Sequence, residues 1–218
     1  MTCDEFTSQY WAQDISLEKE FYQTTKFVAL HEDNFLTYST EFQKLMLEIG
    51  SEVDVILKAY CFALNAQSEK KDEAQYRQFI RSKNPDFCNQ EVAVHLLSDP
   101  LYPWSNWQTD TTPSWWTSYN KIKHYRTEEK TINGVTQLSY KFANLENTLL
   151  ALSALFQICI YFYYQLATSE GNSLLTPLPG SRLFQLNGEK WENVHFFGDY
   201  AFHVVDGHLK IEYSHIVY

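Results

Sequence analysis

Leu149–Leu166 reads LLALSALFQICIYFYYQL, with no charged side chain anywhere in it. A run of this length is barely enough to cross a bilayer as a helix. It carries Ser153, Gln157 and Gln165 inside it, and no lysine or arginine lies close on either flank. A helix that is apolar on every side is usually one buried in protein. The stretch therefore reads as the central helix of a bundle rather than a membrane span, and no membrane partner is expected.

Outward from that core the pattern stays helical. The long helix is expected over about Tyr140–Thr168, broken by GNSLLTPLPGSR. Upstream, Phe42, Leu45, Ile49, Val53, Ile56, Tyr60 and Leu64 recur at steps of three and four, which predicts a helix over Ser39–Asn65. Ser39 or Thr40 can cap it through a hydroxyl. AQSEKKDE (66–73) reads as a solvated loop entering a short helix, EAQYRQFIRS, that Asn84-Pro85 ends. Residues 98–113, SDPLYPWSNWQTDTTP, read as an ordered loop pinned by its aromatics, after which Ser114 should cap another helix. Asn133-Gly134 signals a turn.

The two ends of the chain change character. FYQTTKFVALHEDN (21–34) is β-branched and aromatic enough to suggest a short strand. In the tail, RLFQLNGEKW and YAFHVVDGHLKIEY each set an Asn-Gly or Asp-Gly between alternating residues, the signature of a hairpin. The fold class expected is mainly α: residues 1–170 form a helical bundle and 181–218 a small antiparallel β-appendage packed on it.

Composition narrows the function classes. The formal net charge is −10, which argues against a broad nucleic-acid coat but leaves room for a local basic cleft. Cys3, Cys61, Cys88 and Cys159 are dispersed with no CxxC pair, so reduced, buried thiols fit better than zinc or disulfides. MTCDEFTSQYWAQDISLEKE lacks a basic then apolar leader, and a cytoplasmic location is expected.

One segment concentrates chemistry. WWTSYNKIKHYR, Trp115–Arg126, sets lysines, an arginine and a histidine beside two tryptophans. As a helix it places Trp115, Tyr119, Ile122 and Arg126 on one stripe, apolar until its last member. Trp116, Asn120, Lys123 and His124 form the next stripe, polar and sharing its edge. Lys123 and Arg126 would disfavour the imidazolium of His124, and Asn120 could orient its ring from one turn below. Arg126 could take a phosphate bidentately, with Lys121 and Lys123 adding charge. Such a set suits metal-independent attack of a ribose 2′-hydroxyl on phosphorus. The same spacing also fits a solvated helix edge above a tryptophan core.

SEVDVILKAYC, the downstream PW, WW..YNKIKH.R and ANLENTLLALSALF together resemble bacterial HEPN-like proteins over about Phe21–Ala167. The resemblance implies a helical bundle that often acts as a metal-independent endoribonuclease in toxin–antitoxin, abortive-infection or antiphage systems, commonly as a homodimer with the motif helices meeting at the two-fold axis. The family motif runs arginine, then Asn, His or Asp, then three to five residues, then histidine. Asn120 and His124 match its polar residue and its histidine; Tyr119 stands where its arginine should be. The family also includes non-catalytic RNA-binding and scaffold members.

The expectations are therefore an RNA-directed protein of a defence or stress system, with His124 as general base or acid, Asn120 orienting it and Arg126, Lys121 and Lys123 contacting phosphate. Trp116 and Tyr119 would support the site. Glu52 reads as a surface glutamate or as a partner of Lys123 or Arg126 across the bundle. RNA, a second copy of the chain and a protein partner such as an antitoxin or defence component are the partners implied. No cofactor or metal is expected; His195, His203, His208 and His215 lack metal-like spacing. The alternative is a non-catalytic interaction or scaffold module, in which the Trp115–Arg126 helix serves packing and dimerisation and the tail recruits a protein.

Overall fold

The computed structural model describes residues 1–65 and 70–191, together with the backbone of two strands at 200–205 and 208–213. It is mainly helical, with small antiparallel sheets. Among the described residues six α-helices follow in order: α1 (Cys3–Phe6), α2 (Ala12–Thr24), α3 (Thr40–Leu64), α4 (Glu73–Lys83), α5 (Ser114–Tyr125) and α6 (Leu145–Glu170). A π-helical turn, Thr7–Trp11, joins α1 to α2 without a break.

α6 is the axis. Every residue from Ala151 to Tyr163 is buried, and α3 packs along it while α1, α2 and α5 close the remaining sides. α6 is long and apolar enough to cross a membrane, yet 83% of its most apolar window is covered by the rest of the chain. Burying one large aliphatic or aromatic side chain is worth about 1.5–3 kcal/mol, so this helix supplies much of the drive for folding. Its ends follow from local chemistry. The Asn144 side chain accepts from the Asn147 N–H at 2.9 Å, and Gly171 takes the left-handed conformation (φ 72°) that stops the helix. The helix starts at Leu145 rather than near Tyr140, because Ser139–Phe142 first make a 3-10 turn.

α3 matches its expected span closely, with Ser39 Oγ accepting from the Phe42 N–H at 3.0 Å. α4 likewise begins at Glu73, capped by Asp72, and ends before Asn84-Pro85. The strand expected in FYQTTKFVALHEDN is absent: α2 runs through Phe21 to Thr24, and a 3-10 turn forms at Glu32–Asn34. Its buried face is Asp14, Leu17, Glu18, Phe21 and Thr24. That is helical spacing, but two of its five members are acids, so hydrophobicity alone hides the period.

The strands also pair differently from expectation. β1 (Glu91–Val94) and β4 (Phe184–Asn187) form an antiparallel pair, Glu91 opposite Asn187 and Val94 opposite Phe184. RLFQLNGEKW is therefore not a hairpin. Its strand is sewn into the helical body, and Gly188 leads into a 3-10 turn at Glu189–Trp191. The Asn-Gly signal marks the end of the strand, where Gly188 takes φ 116°, but the partner strand lies far away in sequence. β2 (Glu129–Ile132) and β3 (Val135–Leu138) form a hairpin across Asn133 (φ 49°) and Gly134 (φ 79°), the pair of left-handed residues a tight hairpin turn needs. β5 (Tyr200–Val205) pairs with β6 (His208–Tyr213) as the alternation predicts. His195 and His215 lie outside the described residues, as do the side chains of His203 and His208.

Candidate functional site

α5 is fixed by tryptophans. Trp104 sits at the hub, its ring centre 4.3 Å from Trp107 and 5.1 Å from Trp115. Its indole N–H donates to the Ala154 carbonyl of α6 at 3.3 Å, while that of Trp115 donates to the Pro103 carbonyl at 2.9 Å. The PW and WW pairs are thus one aromatic cluster that sets α5 against α6. Ser114 does not cap α5; it is the first helical residue, and Pro113 holds the cap position without a side-chain bond. Proline before the first turn fits because the first N–H groups have no helical partner in any case.

Trp115, Tyr119 and Ile122 are buried and Arg126 is exposed, as the first stripe requires. Trp116 departs from its polar stripe, being only 6% exposed against the Trp104 and Trp115 rings. Tyr119, at the family's arginine position, is packed over Gly50 of α3: a Cβ at Gly50 would lie 2.3 Å from its ring. The atoms met are at the base of the ring, so rotation offers little relief. Gly50→Ala would ordinarily help a helix by about 1 kcal/mol, but this clash should dominate. A net loss of about 1–3 kcal/mol is expected from overpacking, read as a lower urea midpoint with an unchanged slope.

The polar residues gather at the far end of α5. Lys123, His124 and Arg126 are exposed, and Asn120 and Lys121 are half-buried. Lys123 Nζ donates to the Tyr119 hydroxyl at 3.1 Å. No hydrogen bond joins Asn120 to His124 among the described residues, so the expected orienting contact is not made within one chain. The positive end of the motif also has a local cause, since a helix C-terminus favours cations in its last turn. Glu52 is half-buried but pairs with neither Lys123 nor Arg126. It faces the acids of α2, where its charge helps raise the pKa of Asp14.

The sequence reading missed Tyr125 and Lys130. Tyr125 is 42% exposed, with Lys130 Nζ 4.2 Å and Lys121 Nζ 5.5 Å from its ring centre. The β2–β3 hairpin brings Lys130 back over α5, and the Arg126 carbonyl accepts from the Tyr140 N–H at 3.1 Å to close the junction. The result is an exposed aromatic ring with two lysines at its face, Lys130 also pairing with Glu128 at 2.7 Å, and an exposed histidine and arginine on either side in sequence. Only Tyr125 was legible as an aromatic within the basic run. The cation above it arrives through the turn.

A second group of titratable residues lies inside the bundle. Asp14 is 1% exposed, and neither carboxylate oxygen has a hydrogen-bond partner. Glu18, 5% exposed, accepts from the Ser181 hydroxyl and from the Arg182 N–H, the latter at 2.7 Å, which ties α2 to the segment entering β4. Burial pushes Asp14 well above the usual carboxylate range, and the charges of Glu18 and Glu52 push it further. Cys159 is raised by burial and by Asp14 and Glu52. All four cysteines are buried free thiols. Among the described residues no set of three or more His, Cys, Asp or Glu side chains is arranged to hold a metal.

No family model, curated protein or solved structure matches the chain.

Proposed function

We propose that the chain is an RNA-directed, HEPN-like protein of a bacterial defence or stress system, acting in the cytoplasm and as a homodimer. The observation that carries the reading is the end of α5. Tyr125, with Lys121 and Lys130 at its ring, offers a stacking face for a base, while Lys123, His124 and Arg126 stand open beside it. Single-stranded nucleic acid is held by this pairing of aromatic faces with cations, which tolerates any base sequence. The acidic remainder of the chain confines binding to that edge.

The cleavage step uses the same residues. His124 takes the proton of a ribose 2′-hydroxyl, the 2′-oxygen attacks phosphorus as the P–O5′ bond breaks, and the 5′-oxygen leaves with the proton that His124 returns. Arg126 and the lysines stabilise the phosphorane, and the product is a 2′,3′-cyclic phosphate. Asn120 and His124 are unlinked within one chain, and Tyr119 is committed to the core. Cleavage therefore rests on a second α5 meeting the first across a two-fold axis, which also sets any antitoxin or defence partner at that face.

The test is RNA binding and cleavage in excess EDTA, with folding checked by circular dichroism. Tyr125→Ala should weaken binding by about 1–3 kcal/mol, and Arg126→Ala should lower the salt slope by about 0.7. Catalysis requires cyclic-phosphate ends that folded His124→Ala no longer makes. RNA binding without cutting makes the chain a non-catalytic RNA-binding member. No binding at all leaves the other reading, an interaction or scaffold module. That reading is favoured by the burial of Trp115, Trp116, Tyr119 and Ile122, which makes α5 first of all a packing element.

A further inference from the structure

Lys190 lies on a surface of three rings. Its Nζ is 4.1 Å from the centre of Tyr161, 5.0 Å from Tyr164 and 4.9 Å from Trp191. The two tyrosines sit three residues apart on α6 and so share a face. Trp191 stands nearly upright to both, at 70° to Tyr161 and 77° to Tyr164, with ring centres 5.2 and 5.3 Å away. This is a corner of aromatic faces around one cation.

The rings are held in advance. The Tyr161 hydroxyl and the Trp191 indole N–H both donate to Gln90 Oε1, at 3.1 and 2.6 Å. Gln90 Nε2 in turn donates to the Glu91 and Asn187 carbonyls, at 2.8 and 2.7 Å. With both ends of the amide engaged, a flip of Gln90 would break all four bonds. The β1–β4 pairing, which brings Asn187 beside Glu91, therefore also builds the corner.

The occupant is less well matched than the site. Among the described residues Lys190 Nζ has no carboxylate within ion-pair distance and no hydrogen-bond acceptor. A primary ammonium keeps three N–H donors that ring faces satisfy poorly. Lys190 as a residue is exposed, but the ring contacts partly desolvate its ammonium and lower its pKa, with the charge of Asp86 acting the other way. A methylated ammonium spreads its charge over methyl groups, needs no acceptor, and is drawn to the same ring faces.

We propose that Tyr161, Tyr164 and Trp191 form a cage for a quaternary, methylated ammonium group, with Lys190 as a tethered occupant that such a ligand displaces. This site stands apart from the α5 edge and does not depend on RNA binding there. The neighbouring carboxylate of Asp86 adds attraction for the incoming cation once Lys190 has swung out.

The test is calorimetric titration of the full chain with tetramethylammonium chloride and with a short peptide carrying one trimethyllysine. Sodium chloride serves as the ionic-strength control, and 3,3-dimethylbutanol as an uncharged ligand of similar shape. If the lysine leaves the cage open about a tenth of the time, Lys190→Ala should bind about tenfold more tightly than wild type. Tyr164→Ala, added to Lys190→Ala, should abolish binding while circular dichroism stays unchanged. Tighter binding of the peptide points to a methylated protein as the source, and equal binding to a small methylammonium compound; either supports the cage. Absence of saturable binding to folded Lys190→Ala overturns it. So does equal binding of the neutral alcohol, or binding that survives loss of Tyr164.

Discussion

Trp104→Ala should destabilise the chain by about 3–5 kcal/mol, the range for removing a buried large aromatic. Trp104 is 1% exposed and touches Phe87, Trp107, Trp115 and Trp116, so no single neighbour can move in to fill the space. The change also leaves the Ala154 carbonyl without its indole donor, although that carbonyl can still accept within α6. Chemical denaturation should show the loss as a lower midpoint. Near-ultraviolet circular dichroism should lose most of its tryptophan signal, because four of the rings are coupled here. Trp104→Phe keeps part of the ring contacts and should recover a large share of the stability. If Trp104→Ala unfolds with the wild-type midpoint, the cluster does not anchor α5.

The second large effect has the opposite sign. Asp14→Leu should stabilise the chain at neutral pH by about 1–3 kcal/mol, the cost of a buried polar group left without partners. For a chain of this size each kcal/mol moves Tm by about 2–4 °C. The pH dependence follows from the raised pKa. Below the ordinary value of 3.8 the carboxyl is neutral in both folded and unfolded chains and costs little beyond desolvation. As pH climbs from there towards the folded pKa, the native state holds the proton longer than the unfolded state does. Stability therefore falls with rising pH across that window. Glu18 and Glu52 are raised as well and add to the same slope. The gain from Asp14→Asn or Asp14→Leu should accordingly grow as pH rises above the ordinary carboxylate value towards the raised folded one. A gain that is flat across pH would mean that Asp14 carries no unmet charge.

These two residues divide what could be read from the chain alone. The tryptophans announce an ordered, aromatic-pinned segment, but not that PW and WW converge on one hub. Asp14 and Glu18 look like the polar face of an amphipathic or extended stretch. Only the packing of α2 against α3 and α6 shows that they point inward. The pairing of Glu52 with Lys123 or Arg126 fails for the same reason: a step of four along α3 says which residues share its face, not which neighbouring helix that face meets.

Around α5 the legible and illegible parts are equally specific. Helical spacing was enough to bury Trp115, Tyr119 and Ile122 and to expose Arg126. It could not place Trp116 in the core, because the ring that covers it, Trp104, comes from a loop. Nor could it find Lys130 over Tyr125, since the hairpin that folds it back contributes no helical period.

The sequence alone determined the helices whose faces repeat every three or four residues, their stop signals at Asn84-Pro85 and Gly171, and the burial of most of Leu149–Leu166 against protein. These are local properties: a period, a cap or a proline acts on its own neighbours. Tertiary structure alone decided that β4 pairs with β1, that Asp14 is sealed without a partner, and that Gln90 draws Tyr161 and Trp191 into a corner around Lys190. Each of these joins residues distant in the chain, and the free energy of such a contact depends on a partner that no local pattern names.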